Sequence, residues 1–336
     1  MDILYFSRRY KSNPGGGEQC DKYLTTLLSK KHKINLIYEN SDIPIIQRKE
    51  RTVIARIYEE LSELFFIVKN LLIISKAKLI IYTGRSVSAS ILAFIRPQTV
   101  VYNVHGFTNK YSKFILNFFG AKLIYWGNSY VINGSLPSRS YLPNVIPNSD
   151  LVLSYNQINK KTFKKNNLLN ILWVGRLEPI KDPLFLLDVL KQLNKRNKNW
   201  NCNIVGSGSL LDKMIRKHSR LNSQMRKKIK LHGFVDNLDL NKLYQKSNIL
   251  LITSISENFP IVALEALMNN VRVVTTPIFT NENLLSKFIF SSRDRDSREI
   301  AELVINSINS KTKNFPFKFF LKKISSQDKR IIKWLN

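Results

Sequence analysis

The chain has 336 residues, 44% of them hydrophobic and 23% charged, with 53 Lys+Arg against 24 Asp+Glu and a formal net charge of +29. That length supports two ordinary domains, and the composition excludes a disordered or fibrous chain. Cys20 and Cys202 lie far apart in no metal or redox spacing, which implies no disulfide framework and suits a reducing compartment.

The N-terminal MDILYFSRRYK holds an apolar run too short for a signal peptide, with its basic residues on the wrong side. It reads as a first strand. The longest apolar candidate, LFFIVKNLLIIS from Leu64, is interrupted by Lys69 and Asn70 and falls short of the ~20 apolar residues of a spanning helix. A soluble chain kept in the cytoplasm is therefore expected.

Short apolar runs then alternate with amphipathic segments. Strands are predicted at DILYF, INLIY, KLIIY, TVVYNV and AKLIYW, and helices at about 18–30, 52–75, 86–94 and 109–118. Around LPNVIPNSD, with Pro143, Asn144 and Pro147, the pattern breaks and polar NQINKKTFKKNN follows, which reads as a linker. Alternation restarts with NILWV, NCNIV, IKLHGF, NILLIT and VRVVTT. Such βαβ alternation predicts α/β halves with parallel sheets. The expected organisation is a first domain over 1–148, a linker over 149–168, a second domain over 169–312 and a basic C-terminal helix over 313–336.

The positive charge admits three readings: nucleic acid, an anionic membrane, or lysines filling a solvated surface. Residues 1–150 carry 20 Lys+Arg against 10 Asp+Glu, and residues 151–336 carry 33 against 14. Charge spread in this way names no partner by itself.

The chemistry gathers in the second half. ILWVGRLEPIKD is a buried strand that stops at Gly175 and then offers Arg176 and Lys181. Ligands of open α/β sheets bind beyond the carboxyl ends of strands, where both cations would meet phosphate oxygens. The bland alternative is two surface cations near a turn. NIVGSGSLLDKM ends a strand at Gly206 and Gly208 before a helix, either a phosphate-binding loop or a tight turn. In SENFPIVALEALMNNVRVVTT, Glu257 follows the strand NILLIT and Glu265 lies on a helix apolar nearly all round. A buried carboxylate must be hydrogen-bonded, and vicinal ribose hydroxyls or an internal arginine would both serve.

The E-x7-E pair in SENFPIVALEAL, preceded in order by VGRLEPIKD and IVGSGSLLDKM, resembles the donor half of retaining GT-B glycosyltransferases of family 4, the glycosyl transferases group 1. NPGGGEQCDKYLTTLL and VVYNVHG resemble, more loosely, the family's first glycine-rich loop and its histidine-bearing strand. The resemblance implies a GT-B fold, two Rossmann-like domains with parallel sheets facing a central cleft, and a last helix packing back on the first domain. It also implies residue roles. Arg176 and Lys181 would neutralise the donor diphosphate, and Glu265 would take the ribose. Glu257, with the backbone of Asn258, Phe259 and Pro260, would hold the sugar ring. Gly206 and Gly208 would line the donor site, Gly16 and Gly17 would let backbone N–H groups approach the donor phosphates or the acceptor, and His105 would hydrogen-bond the transferred sugar. The sequence departs from the family pattern in three places. Val145 stands for a glycine in PNVIP, Asn270-Val271-Arg272 replaces Gly-x-Pro, and no glycine pair follows in TTPIFTNENLL. Asn270 tolerates the left-handed conformation that its turn demands.

D-R-D at Asp294–Asp296 matches a metal-binding D-x-D, yet it precedes the amphipathic SREIAELVINSI and suits a helix cap. The resemblance implies a retaining, metal-independent hexosyltransferase that needs no cofactor. Its partners would be a nucleotide-sugar donor, a glycan or lipid-linked acceptor of bacterial surface polysaccharide and an anionic membrane surface, with no nucleic acid. It would be peripheral on the inner face of the cytoplasmic membrane. Two alternatives differ in kind: another GT-B nucleotide-sugar enzyme, and a noncatalytic nucleic-acid-binding protein, although no helix-turn-helix, RNP-like or zinc-finger pattern occurs.

Overall fold

The computed structural model describes residues 2–7, 16–38, 53–84, 86–97, 99–104, 110–126, 141–145, 168–197, 199–257, 259–278, 285–310 and 315–335. The chain divides into two compact units, Met1–Asn148 with Lys318–Asn336, and Ser149–Phe317. The linker expected over 149–168 lies, but for Leu168, outside the described residues.

Unit 1 is a six-stranded parallel sheet in the order β2-β1-β3-β4-β5-β6. Its strands are β1 (Asp2–Ser7), β2 (Lys33–Ile37), β3 (Leu79–Thr83), β4 (Val100–Val104), β5 (Lys122–Trp126) and β6 (Tyr141–Val145). Between them run the helices α1 (Gly16–Ser29), α2 (Val53–Lys69), α3 (Leu71–Lys76), α4 (Ser86–Ile95) and α5 (Lys110–Phe118). Right-handed crossovers put α1 on one face of the sheet and α2 to α5 on the other. Strand residues therefore alternate between two cores. Leu4, Phe6, Ile80, Tyr82, Val100 and Tyr102 pack with Phe66, Ile67, Leu92 and Leu116.

Two elements differ from the sequence reading. The helix expected over 52–75 divides at Asn70, whose side chain donates back to the Phe66 carbonyl at 2.7 Å and competes with helix continuation. The stretch expected to open the linker instead forms β6, paired with β5 alone. Pro143 is tolerated there because an edge strand has one side free of ladder bonds.

Unit 2 is a second six-stranded parallel sheet, in the order β12-β11-β10-β7-β8-β9. Its strands are β7 (Leu169–Val174), β8 (Trp200–Val205), β9 (Ile229–Gly233), β10 (Ile249–Ile252), β11 (Arg272–Thr275) and β12 (Phe290–Ser291). Starting from β7, this is the doubly wound order 3-2-1-4-5-6. The helices Pro183–Arg196 and Ser297–Asn309 pack together over the β7 and β11 side of the sheet, where Ile171, Trp173, Leu186, Leu190, Ile300 and Val304 form the core. The helix Ile261–Met268 buries every residue except Val262.

The C-terminal helix Phe317–Leu335 closes unit 1. It buries Phe320, Ile324, Ile331 and Leu335, and Tyr23 of α1 donates its hydroxyl to Asp328. Lys122 donates to the Trp334 carbonyl at 3.2 Å and lies over its ring. Among the described residues, no helix is long and apolar enough to cross a membrane.

Candidate active site

In unit 2 the strand order reverses between β7 and β10, so their carboxyl ends open a crevice where ligands of this sheet type bind. The loops leaving those two strands are laced together. Ile255 N donates to the Ile180 carbonyl at 2.8 Å. Thr253 Oγ1 accepts from Trp173 Nε1 at 2.9 Å and shares its own proton between the carbonyls of Lys181 and Asp182, each at 3.0 Å. This lacing brings Lys181 Nζ to 2.5 Å from Glu257 Oε1, which also accepts from Ser254 Oγ at 2.6 Å. The carboxylate side chain is 8% exposed and the ammonium 24%. A carboxylate so buried needs its counterion, and here it has one.

Arg176 begins the same loop. It is exposed, and its guanidinium makes no hydrogen bond or ion pair among the described residues. The loop ends at Asp182, held at φ 42°, which caps the helix Pro183–Arg196 by accepting from Phe185 N. Arg295 secures this corner. Its guanidinium donates to Asp182 Oδ2 at 2.6 Å and to the carbonyls of Thr253 and Ser254 at 3.1 and 2.8 Å, over the Phe185 ring. The flanking Asp296 caps the helix Ser297–Asn309, accepting from Arg298 N and Glu299 N. D-R-D is thus a cap with a clamp between its acids.

The glycine loop after β8 packs backbone to backbone on this frame. Gly206, at φ +136°, lies so close to the Gly175 carbonyl that a Cβ would stand 1.8 Å from its oxygen. Gly208, at φ +153°, meets the Leu177 backbone in the same way. Glu178 ties the loop down, accepting from Ser209 N at 3.1 Å and Ser209 Oγ at 2.7 Å. Both glycines therefore serve the close passage of two chain segments.

Glu265 is 7% exposed, and Tyr244 on the helix Asn237–Lys246 donates its hydroxyl to Glu265 Oε2 at 2.9 Å. Burial first, and then the charge of Glu265, hold the Tyr244 phenol well above its usual range, so it stays a donor. Pro260 stands at the cap position of the Glu265 helix, buried, with Phe259 half-buried before it. Asn270 adopts φ 56°, the left-handed turn expected of it.

His105 and Asn258 lie outside the described residues. Gly16 and Gly17 open α1 and belong to unit 1, whereas Arg176, Lys181, Gly206, Gly208, Glu257 and Glu265 belong to unit 2. The same helix carries Asp21, 2% exposed, at the place where the unit 1 order reverses between β1 and β3. Asp21 Oδ1 accepts from Tyr5, Thr83 and Asn103 at 2.8, 2.9 and 2.8 Å. The sequence reading gave Lys181 to a diphosphate and Glu257 to a sugar without pairing them; the structure pairs the two and packs the glycine loop on the β7 loop. The sequence reading missed Ser254, Arg295, Glu178 and Tyr244. The partners of Glu178 and Glu265 lie 31 and 21 residues away, and only the sheet order makes them neighbours.

Residues 154–315 match the model of the family described as glycosyl transferases group 1. The capsular polysaccharide biosynthesis glycosyltransferase CapH of Staphylococcus aureus is 30% identical over 187 residues, 55% of this chain and 50% of that protein. A Campylobacter jejuni alpha-1,4-N-acetyl-D-galactosaminyltransferase, named for a diNAcBac-PP-undecaprenol acceptor, is 29% identical over 127 residues, 38% of this chain and 33% of that one. The chain spans half or less of the length of the curated relatives it matches. Among solved structures, Anabaena Alr3699/HepE in complex with UDP superposes with TM-score 0.68 at 18% identity, covering 100% of this chain and 99% of that one. That likeness is one of fold, the two parallel-sheet α/β domains of GT-B proteins.

Proposed function

We propose, for a chain whose residues 154–315 match the model of the glycosyl transferases group 1 family, that it transfers a hexose-type sugar from a nucleoside diphosphate sugar to a glycan acceptor. The acceptor would be lipid-linked and the product a bacterial surface polysaccharide, a reading supported by the names of the capsular and undecaprenol-linked relatives. One observation carries it: two cations, Arg176 and Lys181, and the carboxylate Glu257 stand on the laced loops at the strand-order reversal of unit 2.

In this reading the donor diphosphate displaces Glu257 from Lys181 and takes both cations as counterions. Fixed positive charge at the departing diphosphate stabilises the transition state, with no divalent metal required. Glu265 receives the ribose hydroxyls, while Glu257 with the backbone of Asn258, Phe259 and Pro260 holds the sugar ring. The bond from the anomeric carbon to the diphosphate oxygen breaks as the acceptor oxygen bonds to that carbon on the same face. The acceptor proton passes to the departing diphosphate, so configuration is retained without a protein nucleophile. Gly16 and Gly17 serve the approach of substrate to unit 1.

The test is calorimetric titration with UDP and GDP. Arg176 is exposed and unpaired among the described residues, so Arg176→Ala should weaken binding by about 1.5–3 kcal/mol with no loss of stability. Lys181→Ala should weaken it similarly but also destabilise, because it strips a buried Glu257 of its counterion. Unchanged affinity in both variants would sink the reading. Loss of all transfer in EDTA with rescue by Mn²⁺, or an inverted product, would overturn the mechanism.

A further inference from the structure

The outer helical layer of unit 1 buries one apolar side in the core and leaves a second apolar face exposed. On α5, Tyr111, Phe114, Ile115 and Phe118 share one face by their 3-1-3 spacing, and they are 83%, 71%, 36% and 73% exposed. The buried side of that helix includes Ser112, 3% exposed. On α2 and α3 the stripe Leu61, Phe65, Val68, Leu72 is likewise exposed, with Leu72 at 80%. Phe94 on α4, 66% exposed, meets Phe119 edge-on and joins the two sides, since α4 packs against both α2 and α5. A surface helix normally turns its apolar stripe inward, and contiguous exposed apolar surface marks an interaction site.

The charge of this layer is net positive: its acids in sequence are Glu59, Glu60 and Glu63 of α2, and after Glu63 they stop. Between Leu64 and Ser149 the sequence carries nine Lys+Arg and not one Asp or Glu. At the chain's mean of 24 acids in 336 residues, such a stretch would hold about six. Lys69, Lys76 and Lys78 are exposed at the ends of these helices. Arg96 folds back on the carbonyls of Ser75 and Ala77, tying α4 to α3.

We infer that the exposed face of α2 to α5 is a docking surface for an anionic lipid bilayer. Its apolar side chains would enter the acyl boundary while the lysines meet the headgroups. This deepens the lipid-linked acceptor of the proposed reaction and rests on that reading for its purpose. A second copy of the chain fits less well, because a two-fold interface would press two net-positive faces together, with acids only at Glu59, Glu60 and Glu63 of α2 in the sequence of the layer. Nucleic acid fits poorly too, since phosphates give Leu72, Phe114 and Phe118 nothing to bury against. The C-terminal helix is not part of the surface, as its apolar side is spent on unit 1.

The test is co-sedimentation of the full chain with vesicles of phosphatidylcholine alone or with phosphatidylglycerol, free of saccharide. Binding should require the anionic lipid, and Leu72→Ser/Phe114→Ser/Phe118→Ser should lower the partition coefficient about tenfold or more. All three are exposed, so the fold should hold, which circular dichroism checks. Phe234→Ser/Leu238→Ser, exposed in unit 2, should leave binding unchanged. Equal binding to neutral vesicles, or no effect of the triple variant, would overturn the inference. So would a solution dimer that the triple variant dissolves, or duplex DNA binding that it abolishes. UDP titration of the same triple variant separates the two readings. Retained nucleotide binding with lost docking leaves the docking surface supported. Nucleotide binding absent from the wild type counts against the transferase alone.

Discussion

Each carboxylate of the E-x7-E pair has a different guardian, and the difference sets what each can do. Glu257 is matched by a partly exposed lysine, an arrangement that a more highly charged anion can reopen. Glu265 is matched by a rigid, fully buried tyrosine that cannot leave. Tyr244→Phe should therefore destabilise the chain by about 1–3 kcal/mol, the cost of a buried oxygen losing a donor. Denaturant unfolding measures this, and an unchanged midpoint would show that Tyr244 is spectator packing. Glu265→Gln keeps an acceptor for Tyr244, so it should spare stability and weaken UDP binding instead. The sequence made both glutamates legible as odd residues in an apolar stretch. It left the partner of Glu265 open, and one partner is a tyrosine on another helix. A partner with no charge, 21 residues back, carries no local signal.

At the scale of elements, alternation and strand ends were legible because parallel strands buried on both faces read as continuous apolar runs. β6 was not, since Pro143 in a strand only makes sense once the strand is known to lie at the edge. The break at Asn70 was equally hidden, because its cause is one side-chain hydrogen bond. The attachment of the helix Phe317–Leu335 turns on Tyr23 and Asp328. Burial raises the Asp328 carboxyl above its ordinary 3.8, with the Tyr23 hydroxyl and Lys30 acting the other way. The folded chain then binds this proton more tightly than the unfolded one. Its contribution to stability is complete below 3.8 and is lost as pH rises through the raised value. Asp328→Asn retains an acceptor for Tyr23 and cannot ionise. The variant should lose less stability than the wild type on going from acid to neutral pH, and should match or exceed it at pH 7. Superimposable profiles of Tm against pH would show that Asp328 is not held this way.

For the molecule as a whole, two sheets of one architecture differ in winding, and the chain passes between the units twice, after Asn148 and again before Lys318. Its charge was legible only as a total. Summed over halves it looks dispersed, and the acid-free run after Glu63 becomes meaningful once the end of α2 and α3 to α5 are seen to share one layer. A formal +29 on 336 residues also has a cost within the protein, since like charges repel across a compact body. Raising salt from about 10 mM to about 150 mM shortens the screening length from ~30 to ~8 Å and should relieve that repulsion. The nucleotide-free chain should gain thermal stability over this range, by about 2–4 °C for each kcal/mol screened. A bound nucleoside diphosphate brings negative charge to Arg176 and Lys181, and salt weakens that attraction. With UDP present at a fixed total concentration, the gain should therefore shrink. Scanning calorimetry at both ionic strengths, with and without UDP, measures the difference. A midpoint that falls with salt in the free chain would mean that attractive pairs such as Arg295 with Asp182 outweigh the net charge. An equal gain with and without UDP would mean that the nucleotide does not sit on those cations.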